Sequence, residues 1–541
     1  METNMKNIRL ILQRYFGHAA FRTGQEEIIS RILKGENVLG IMSTGGGKSL
    51  TYQVPAYVLP GITLVVSPLI SLMVDQVQQL LKNGHRLATY INSSLDRDEI
   101  RLVIDELEAG KYKLVYISPE KLQQPSIIRL LQKRGVSLVA IDEAHCISQW
   151  GHDFRTDYLK LPSLIKALGE PPVLAVTATA THNVAQEIAD LFDIAVDNQI
   201  RLSVNRSNIA YDLYPVSDEA DKNTRLLAQL RECQKPGIIY CSTRQAVEQL
   251  VVLCQQGGIQ RVSGFHGGMN PMERILIQEQ FIANQLDVII ATNAFGMGID
   301  KPDIRFVIHY HLPASIEAYT QEVGRIGRDQ QPGYACLYVQ EEDVHIHHRL
   351  FQNEYPTDEE LVAFLGLLRT SVYRADSHVP TREGYEQKIT HEELFAAIGI
   401  GENVTRLLFY YAQEAGAVHS VQLGKNGYTY WIQPHDPKLI HGTMKQRIQL
   451  VKRSKFAKLG TMQEWIQTSG CLREALLAYF GERMIDKPES CCRTCGINRE
   501  LYHHESAKQE RITREAVWNL PEALERLLPR KSPNEGGSAS L

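Results

Sequence analysis

The sequence predicts an α/β chain: two tandem doubly wound parallel-sheet lobes, followed by a helical region and a cysteine-rich module. Three observations carry that prediction. Between residues 36 and 180, short apolar runs alternate with helical patterns, and each run ends in polar residues or glycine. The alternation restarts after about residue 205. After about residue 345 the strand pattern stops, and four of the nine cysteines then fall within 25 residues.

The first-lobe strands are NVLGIM, ITLVVS, KLVYIS, SLVAID and VLAVTAT; the second-lobe strands are GIIYCST, DVIIATN, RFVIHYH and YACLYV. Short uninterrupted apolar runs suit strands buried on both faces of a parallel sheet. Ligands of such sheets sit outside the carboxyl ends of the strands, which is where the candidate residues fall. With ~150 residues per domain as a guide, the chain should hold three or four domains. The expected divisions are lobes at 1–205 and 206–345, a helical linker with a small domain at 346–443, a helical cysteine module at 444–500, and a partly disordered tail at 501–541.

Apolar content of 43% and charged content of 22% are ordinary for a globular protein. No uncharged apolar run approaches the ~18 residues of a membrane span, so no membrane partner is expected. METNMKNIRLILQRYFG lacks the small-residue cleavage site of a signal peptide. A net charge of −4 gives no global basic field, so any nucleic-acid binding must come from local patches. Cys146, Cys233, Cys241, Cys254 and Cys336 are scattered singly, as reduced core cysteines of a cytoplasmic protein are.

IMSTGGGKSLTYQ follows the first strand and opens a helix. Gly45, Gly46 and Gly47 let the backbone curl so that its N–H groups face a phosphate. Lys48 can reach the β- and γ-phosphates, and the Ser49 hydroxyl can ligate Mg²⁺. The strict pattern places a glycine where this chain has Met42, so the match is partial. Asp142 and Glu143 end a later apolar strand; Asp142 would hold the Mg²⁺ and Glu143 would orient and deprotonate the attacking water. A lone Asp-Glu pair is often a solvated strand end, but a GKS upstream in the same lobe argues against that here. In QEVGRIGRD of the second lobe, Arg325 and Arg328 lie three apart, on one helical face, and could project across the cleft towards developing phosphate charge. Taken alone, either is as readily an ordinary surface arginine.

Just beyond the acidic pair, Trp150 and Phe154 stand among polar residues in CISQWGHDFR. Aromatics in a polar loop suit base stacking, at ~1–3 kcal/mol per base without sequence preference. Two core anchors are the competing reading; the surrounding glycine, histidine, aspartate and arginine favour a loop. Residues 389–433 read helix, turn, helix, strand, turn, strand, with the hairpin turning near Gly424 to Gly427, and resemble a winged helix. Residues 444–460 carry six Lys/Arg and no acid.

These residues together resemble the RecQ-type DNA helicases of helicase superfamily 2, over residues 8–340 and again over 450–497. FRTGQEEII resembles the family's adenine-recognition motif and implicates Arg22 and Gln25. TGGGKS, from Thr44, resembles motif I, SPLISLMVDQV motif Ia, DEAH motif II and TATAT motif III. IIYCSTR, ATNAFGMGIDKPDIRFVIHY and QEVGRIGRD resemble motifs IV, V and VI. The resemblance implies two RecA-like lobes and a catalytic set of Lys48, Asp142, Glu143, His145, Arg325 and Arg328. Arg328 would be the arginine finger, and His145 would couple the nucleotide site to the second lobe. Trp150, Phe154 and Arg155 would lie near single-stranded DNA and link its arrival to hydrolysis.

GCLREALLAYFGERMIDKPESCCRTCGIN resembles the family's zinc module. A cysteine, a helix and closely spaced cysteines suit a tetrahedral d¹⁰ ion. The family's last ligand position is Asn498 here, which leaves Cys471, Cys492 and Cys495 in register and Cys491 as an extra thiol. Either the adjacent Cys491 and Cys492 both ligate, with strain, or Asn498, His503 or His504 supplies a weaker fourth ligand. The winged-helix-like segment precedes the cysteine module, the reverse of the family order, and the helical C-terminal DNA-binding domain of many relatives is expected to be missing. The resemblance implies an ATP-dependent 3′→5′ DNA helicase of recombination, repair and fork processing, cytoplasmic and nucleoid-associated. It would use ATP, Mg²⁺ and Zn²⁺, act on single-stranded and forked DNA, and work with single-strand-binding and recombination proteins. A translocase or RNA helicase without processive unwinding, and a DNA-binding regulator with a dead ATPase, are the alternatives.

Overall fold

The computed structural model describes residues 2–148, 155–295, 301–373, 385–423, 426–433 and 436–503. The first lobe contains β1 (Val38–Ile41), β2 (Ile62–Val66), β3 (Ala88–Ile91), β4 (Leu114–Ile117), β5 (Val136–Ile141), β6 (Val173–Thr177) and β7 (Gln199–Arg201) in the order β3-β4-β2-β5-β6-β1-β7. The second contains β8 (Ile209–Pro215), β9 (Gly237–Tyr240), β10 (Val262–Phe265), β11 (Val288–Ala291), β12 (Phe306–His309) and β13 (Gly333–Val339) in the order β10-β11-β9-β12-β13-β8. Every pairing in both sheets is parallel. β1, β2, β4 and β6 are buried along their whole length, as their unbroken apolar sequences require.

Four of these strands escape the apolar-run reading. β3, β7 and β10 are short and mixed in polarity. β8 carries Asp212 at its centre, a charge that breaks the pattern yet is buried, because Tyr334 Oη donates to it at 2.7 Å and Arg499 at 3.2 Å.

A third sheet, β14 (Tyr385–Thr390), β15 (Val418–Leu423) and β16 (Gly427–Ile432), is antiparallel in the order β14-β16-β15. Helices Asp358–Tyr373, His391–Ile398 and Glu402–Glu414 complete a helix-strand-helix-helix-strand-strand unit, the winged-helix arrangement. Thr390 and Glu393 form a reciprocal cap on the second of these helices. Phe364, Phe409, Tyr428 and Tyr430 fill the core between helices and sheet.

The 30-residue helix Pro437–Ile466 runs through the expected division at 443/444. Ile440, Met444, Ile448 and Val451 on its first half belong to the winged-helix core, whereas Leu459, Met462 and Trp465 belong to the second lobe's core. One helix therefore ties two domains together. Among the described residues no helix is long and apolar enough to cross a membrane.

Candidate nucleotide site and cysteine cluster

β1 delivers the chain into the glycine loop, and helix Leu50–Ala56 leaves it. Gly45 (φ 84°) and Gly47 (φ 78°) take left-handed backbone conformations that a side chain would strain. Gln25 packs so close to Gly47 that an added Cβ would collide with its Nε2. That Nε2 donates to the carbonyls of Gly46 (3.2 Å) and Gly47 (2.9 Å), while Gln25 Oε1 accepts from the Arg22 N–H at 2.9 Å. Arg22 Nη1 donates to the Gly45 carbonyl. The residues singled out for base recognition are thus also those that hold the outer side of the loop.

Lys48 Nζ lies 3.4 Å from Glu143 Oε1. Glu143 itself sits at φ 48°, a strained turn immediately after β5. Asp142 is 5% exposed; burial and the neighbouring Glu143 carboxylate raise its pKa to about 6, against the opposing pull of Lys48. Two carboxylates facing one ammonium in a buried site form an oxygen-donor set short of positive charge, which suits a hard divalent cation such as Mg²⁺. The buried Tyr52 phenol is pushed well up by burial, with the Asp142 charge adding to the rise and a hydrogen bond from Ser49 opposing it, so all three share one neighbourhood. His145 Nδ1 lies 2.8 Å from Thr177 Oγ1 and 3.3 Å from Glu143 Oε2. Thr177 ends β6, next to β1, so this histidine joins the acidic turn to the strand beside the phosphate loop.

The second lobe closes on this loop. A Cβ at Gly45 would lie 3.0 Å from Arg328 Cγ, and one at Gly324 would lie 3.0 Å from Thr44. Arg328 is therefore packed against the phosphate loop across the cleft. Arg325 is buried inside the second lobe, where it hydrogen-bonds Tyr240. Trp150 and Phe154 lie outside the described residues. Arg155 donates to the Pro68 carbonyl at 2.9 Å, which ties the start of the next segment to the loop after β2.

Arg206 belongs to none of the sequence motifs, yet it spans the cleft. Its Nη1 donates to the carbonyls of Thr44 (3.1 Å) and Gly324 (3.0 Å), and its Nη2 to those of Ile326 (2.7 Å) and Gly327 (2.8 Å). Nothing in a single sequence distinguishes an arginine whose partners are backbone carbonyls more than a hundred residues away.

The sulfurs of Cys471, Cys491, Cys492 and Cys495 all lie within 4.8 Å of one another. Cys471 Sγ is 3.7 Å from Cys491 Sγ and 3.8 Å from Cys492 Sγ. A tetrahedron of thiolates at the usual Zn–S distance has an edge of about 3.8 Å, so the cluster fits zinc. A tight turn brings the adjacent pair round: Cys495 N–H and Gly496 N–H both donate to the Cys492 carbonyl, at 3.0 and 2.8 Å. Burial pushes the Cys471 thiol up to about 12. Burial also opposes ionisation of Cys492, but N–H groups of Cys495, Leu472 and Thr494 outweigh it and lower that thiol to about 7. Asn498 instead caps a short 3₁₀ turn through Glu500 N–H, and His503 faces Glu232 at 3.9 Å. His504 lies outside the described residues.

Three family models match the chain: DEAD/DEAH box helicase over residues 22–188, helicase conserved C-terminal domain over 221–330, and RecQ zinc-binding over 434–497. The chain is 39% identical over 510 residues to the probable ATP-dependent DNA helicase RecS of Bacillus subtilis (strain 168), covering 94% of this chain and 95% of that protein. It is 42% identical over 357 residues to the ATP-dependent DNA helicase RecQ of Pasteurella multocida (strain Pm70), covering 66% of this chain and 56% of that one. In fold it is similar to the Mycobacterium smegmatis helicase Lhr bound to ssDNA and AMP-PNP, with a TM-score of 0.52 at 17% identity, over 79% of this chain and 61% of that one. Paired lobes, a glycine loop facing an acidic turn, and a four-cysteine cluster agree with these matches: the chain belongs to the RecQ family of ATP-dependent DNA helicases.

Proposed function

We propose that the chain hydrolyses ATP in the cleft between its lobes and uses the resulting opening and closing to move 3′→5′ along single-stranded DNA and to open tailed and forked duplexes. The observation that carries this reading is the packing of Arg328 against Gly45, opposite the turn where Glu143 faces Lys48. In this reading Arg22, Gln25, Thr44, the three loop glycines, Lys48 and Ser49 bind the nucleotide. Lys48 and Arg328 stabilise charge developing on the γ-phosphate, with Arg325 behind them. Glu143 orients water and takes its proton, and His145 and Thr177 hold Glu143 in place. Mg²⁺ on Ser49 and Asp142 neutralises phosphate oxygens when bound. Zn²⁺ on Cys471, Cys491, Cys492 and Cys495 cross-links the module when bound.

Trp150 and Phe154 stack on bases, and the adjoining Arg155 donates its N–H to the Cys146 carbonyl at 2.9 Å and its side chain to the Pro68 carbonyl, so strand arrival is felt at the DEAH turn. The functional units follow the divisions at 1–205, 206–345, 346–443 and 444–500, with helix Pro437–Ile466 shared by the last two; the expected tail from 501 lies outside the described residues beyond His503. Work in the cytoplasm on the nucleoid, beside single-strand-binding and recombination proteins, follows from that substrate. ATPase measured with single-stranded DNA, with RNA and without nucleic acid tests the reading. DNA should stimulate most, and Lys48→Ala should remove stimulated hydrolysis by roughly a hundredfold or more while DNA binding persists. Hydrolysis that survives Lys48→Ala would overturn the site.

A further inference from the structure

Arg206 stands between β7 and β8, and its planar fork bridges two elements at once. One nitrogen holds Thr44 of the phosphate loop, and both hold the turn from Gly324 to Gly327 that carries Arg325 and Arg328. A lysine offers a point charge and could not reproduce that fork.

The backbone around Arg206 is gripped in turn by the cysteine module. Arg473, 1% exposed and two residues after Cys471, donates Nη1 to Asn205 Oδ1 (2.8 Å) and to the Arg206 carbonyl (2.8 Å). Its Nη2 donates to the Ile209 carbonyl, and its guanidinium lies 4.8 Å from the centre of the Tyr211 ring. Glu482 of the same module accepts from Ser203 Oγ (2.5 Å) and Val204 N–H (3.0 Å). Tyr211 N–H donates to the Cys491 carbonyl at 3.2 Å, and Arg493 N–H donates to the Tyr211 carbonyl at 2.9 Å. Residues 203–211 are thus held from the module side along their length, while Arg206 reaches the other way into the cleft.

We propose that Arg206 is a positioning residue for ATP hydrolysis, and that Arg473 and Glu482 couple the integrity of the cysteine module to the nucleotide cleft through it. The proposal rests on the ATP-site reading above. Its physical content is a division of labour. Arg22, Gln25 and Lys48 are held by hydrogen bonds within the first lobe, and Arg206 touches the phosphate loop only at the Thr44 carbonyl, so nucleotide binding should largely survive loss of Arg206. The alignment of Arg328 against Gly45 depends on the turn that Arg206 holds, so turnover should not survive.

The test uses the full, zinc-loaded chain with saturating single-stranded DNA. Arg206→Ala should lower kcat roughly tenfold or more while the ATP KM and the affinity for a fluorescent ATP analogue stay within about threefold. Arg206→Lys should fail to restore turnover. Glu482→Ala and Arg473→Lys, with zinc content confirmed by elemental analysis, should lower kcat in the same way. Each, combined with Arg206→Ala, should add little to the single substitution, because the effects share one route. If Arg473→Lys loses zinc or fails to fold, Glu482→Ala decides the coupling, since its carboxylate sits at the edge of the module. Wild-type kcat in Arg206→Ala, or fully additive double variants, overturns the proposal. Lys48→Ala separates the two failures: turnover lost there but intact in Arg206→Ala refutes the coupling alone, whereas turnover intact in Lys48→Ala refutes the site itself.

Discussion

Position by position, the strand order β3-β4-β2-β5-β6-β1 of the first lobe matches β10-β11-β9-β12-β13-β8 of the second, with β7 as an added edge strand. β1 and β8 therefore occupy the same place, yet β1 runs into STGGGKS and β8 into VSDEAD. β5 and β12 also correspond; the first is followed by Asp142 and Glu143, the second by Tyr310 and His311. Parallel sheets offer a binding place at the carboxyl ends of their strands, but only residues with the right chemistry use it. The second lobe contributes instead through the turn after helix Ile316–Val323, which sets Arg328 on its neighbour's glycine loop.

The two lobes differ most sharply in function at Glu143. Glu143→Gln should lower stimulated ATPase by about 10²–10⁴ while leaving ATP-analogue affinity nearly unchanged, since it removes a proton acceptor and no binding group. Equal loss of binding would show that the turn recognises nucleotide rather than activating water. Next in size is Gly47→Ala, where the left-handed backbone and the contact with Gln25 add about 1–3 kcal/mol of strain. The ATP KM should rise there, and Ser217→Ala in the corresponding loop of the second lobe should leave ATP kinetics unchanged.

The smallest effect concerns the contact between lobes. Gln278 of helix Pro271–Ile282 donates to Asp75 Oδ2 of helix Ile70–Lys82 at 2.7 Å. Burial raises the Asp75 pKa from 3.8 to about 6, helped by Glu279 and opposed by the Gln278 hydrogen bond and Lys82. The folded state therefore holds a proton that the unfolded state has already released, so this carboxyl costs stability as pH rises from about 4 to 6. Asp75→Asn should raise the urea midpoint at neutral pH and leave it little changed near pH 4. Equal midpoints at neutral pH would mean that Asp75 is well solvated in solution.

What could be read from the sequence was chemistry written along the chain. Glycines before a lysine, acids ending an apolar strand, and cysteines flanking a helix each stand near their partners in number. The structure brought together Lys48 with Glu143, and all four cysteines, without needing Asn498 or His503. β8 was hidden by Asp212, whose charge is satisfied by residues from distant parts of the chain. Arg206 and Arg473 were hidden for the same reason, since both spend their donors on backbone carbonyls that no motif records. For the adjacent cysteines the sequence left two ligand sets open, because spacing alone does not say where two neighbouring sulfurs point; the structure gathers both with Cys471 and Cys495.

The proposed mechanism needs both lobes, the first to bind and the second to complete the charge. It is tested most directly by ATP turnover in Arg328→Ala with saturating single-stranded DNA, measured beside affinity for a fluorescent ATP analogue. Arg328→Ala should lower kcat by about 10³ or more with analogue affinity largely kept. A kcat within a few-fold of wild type would contradict it.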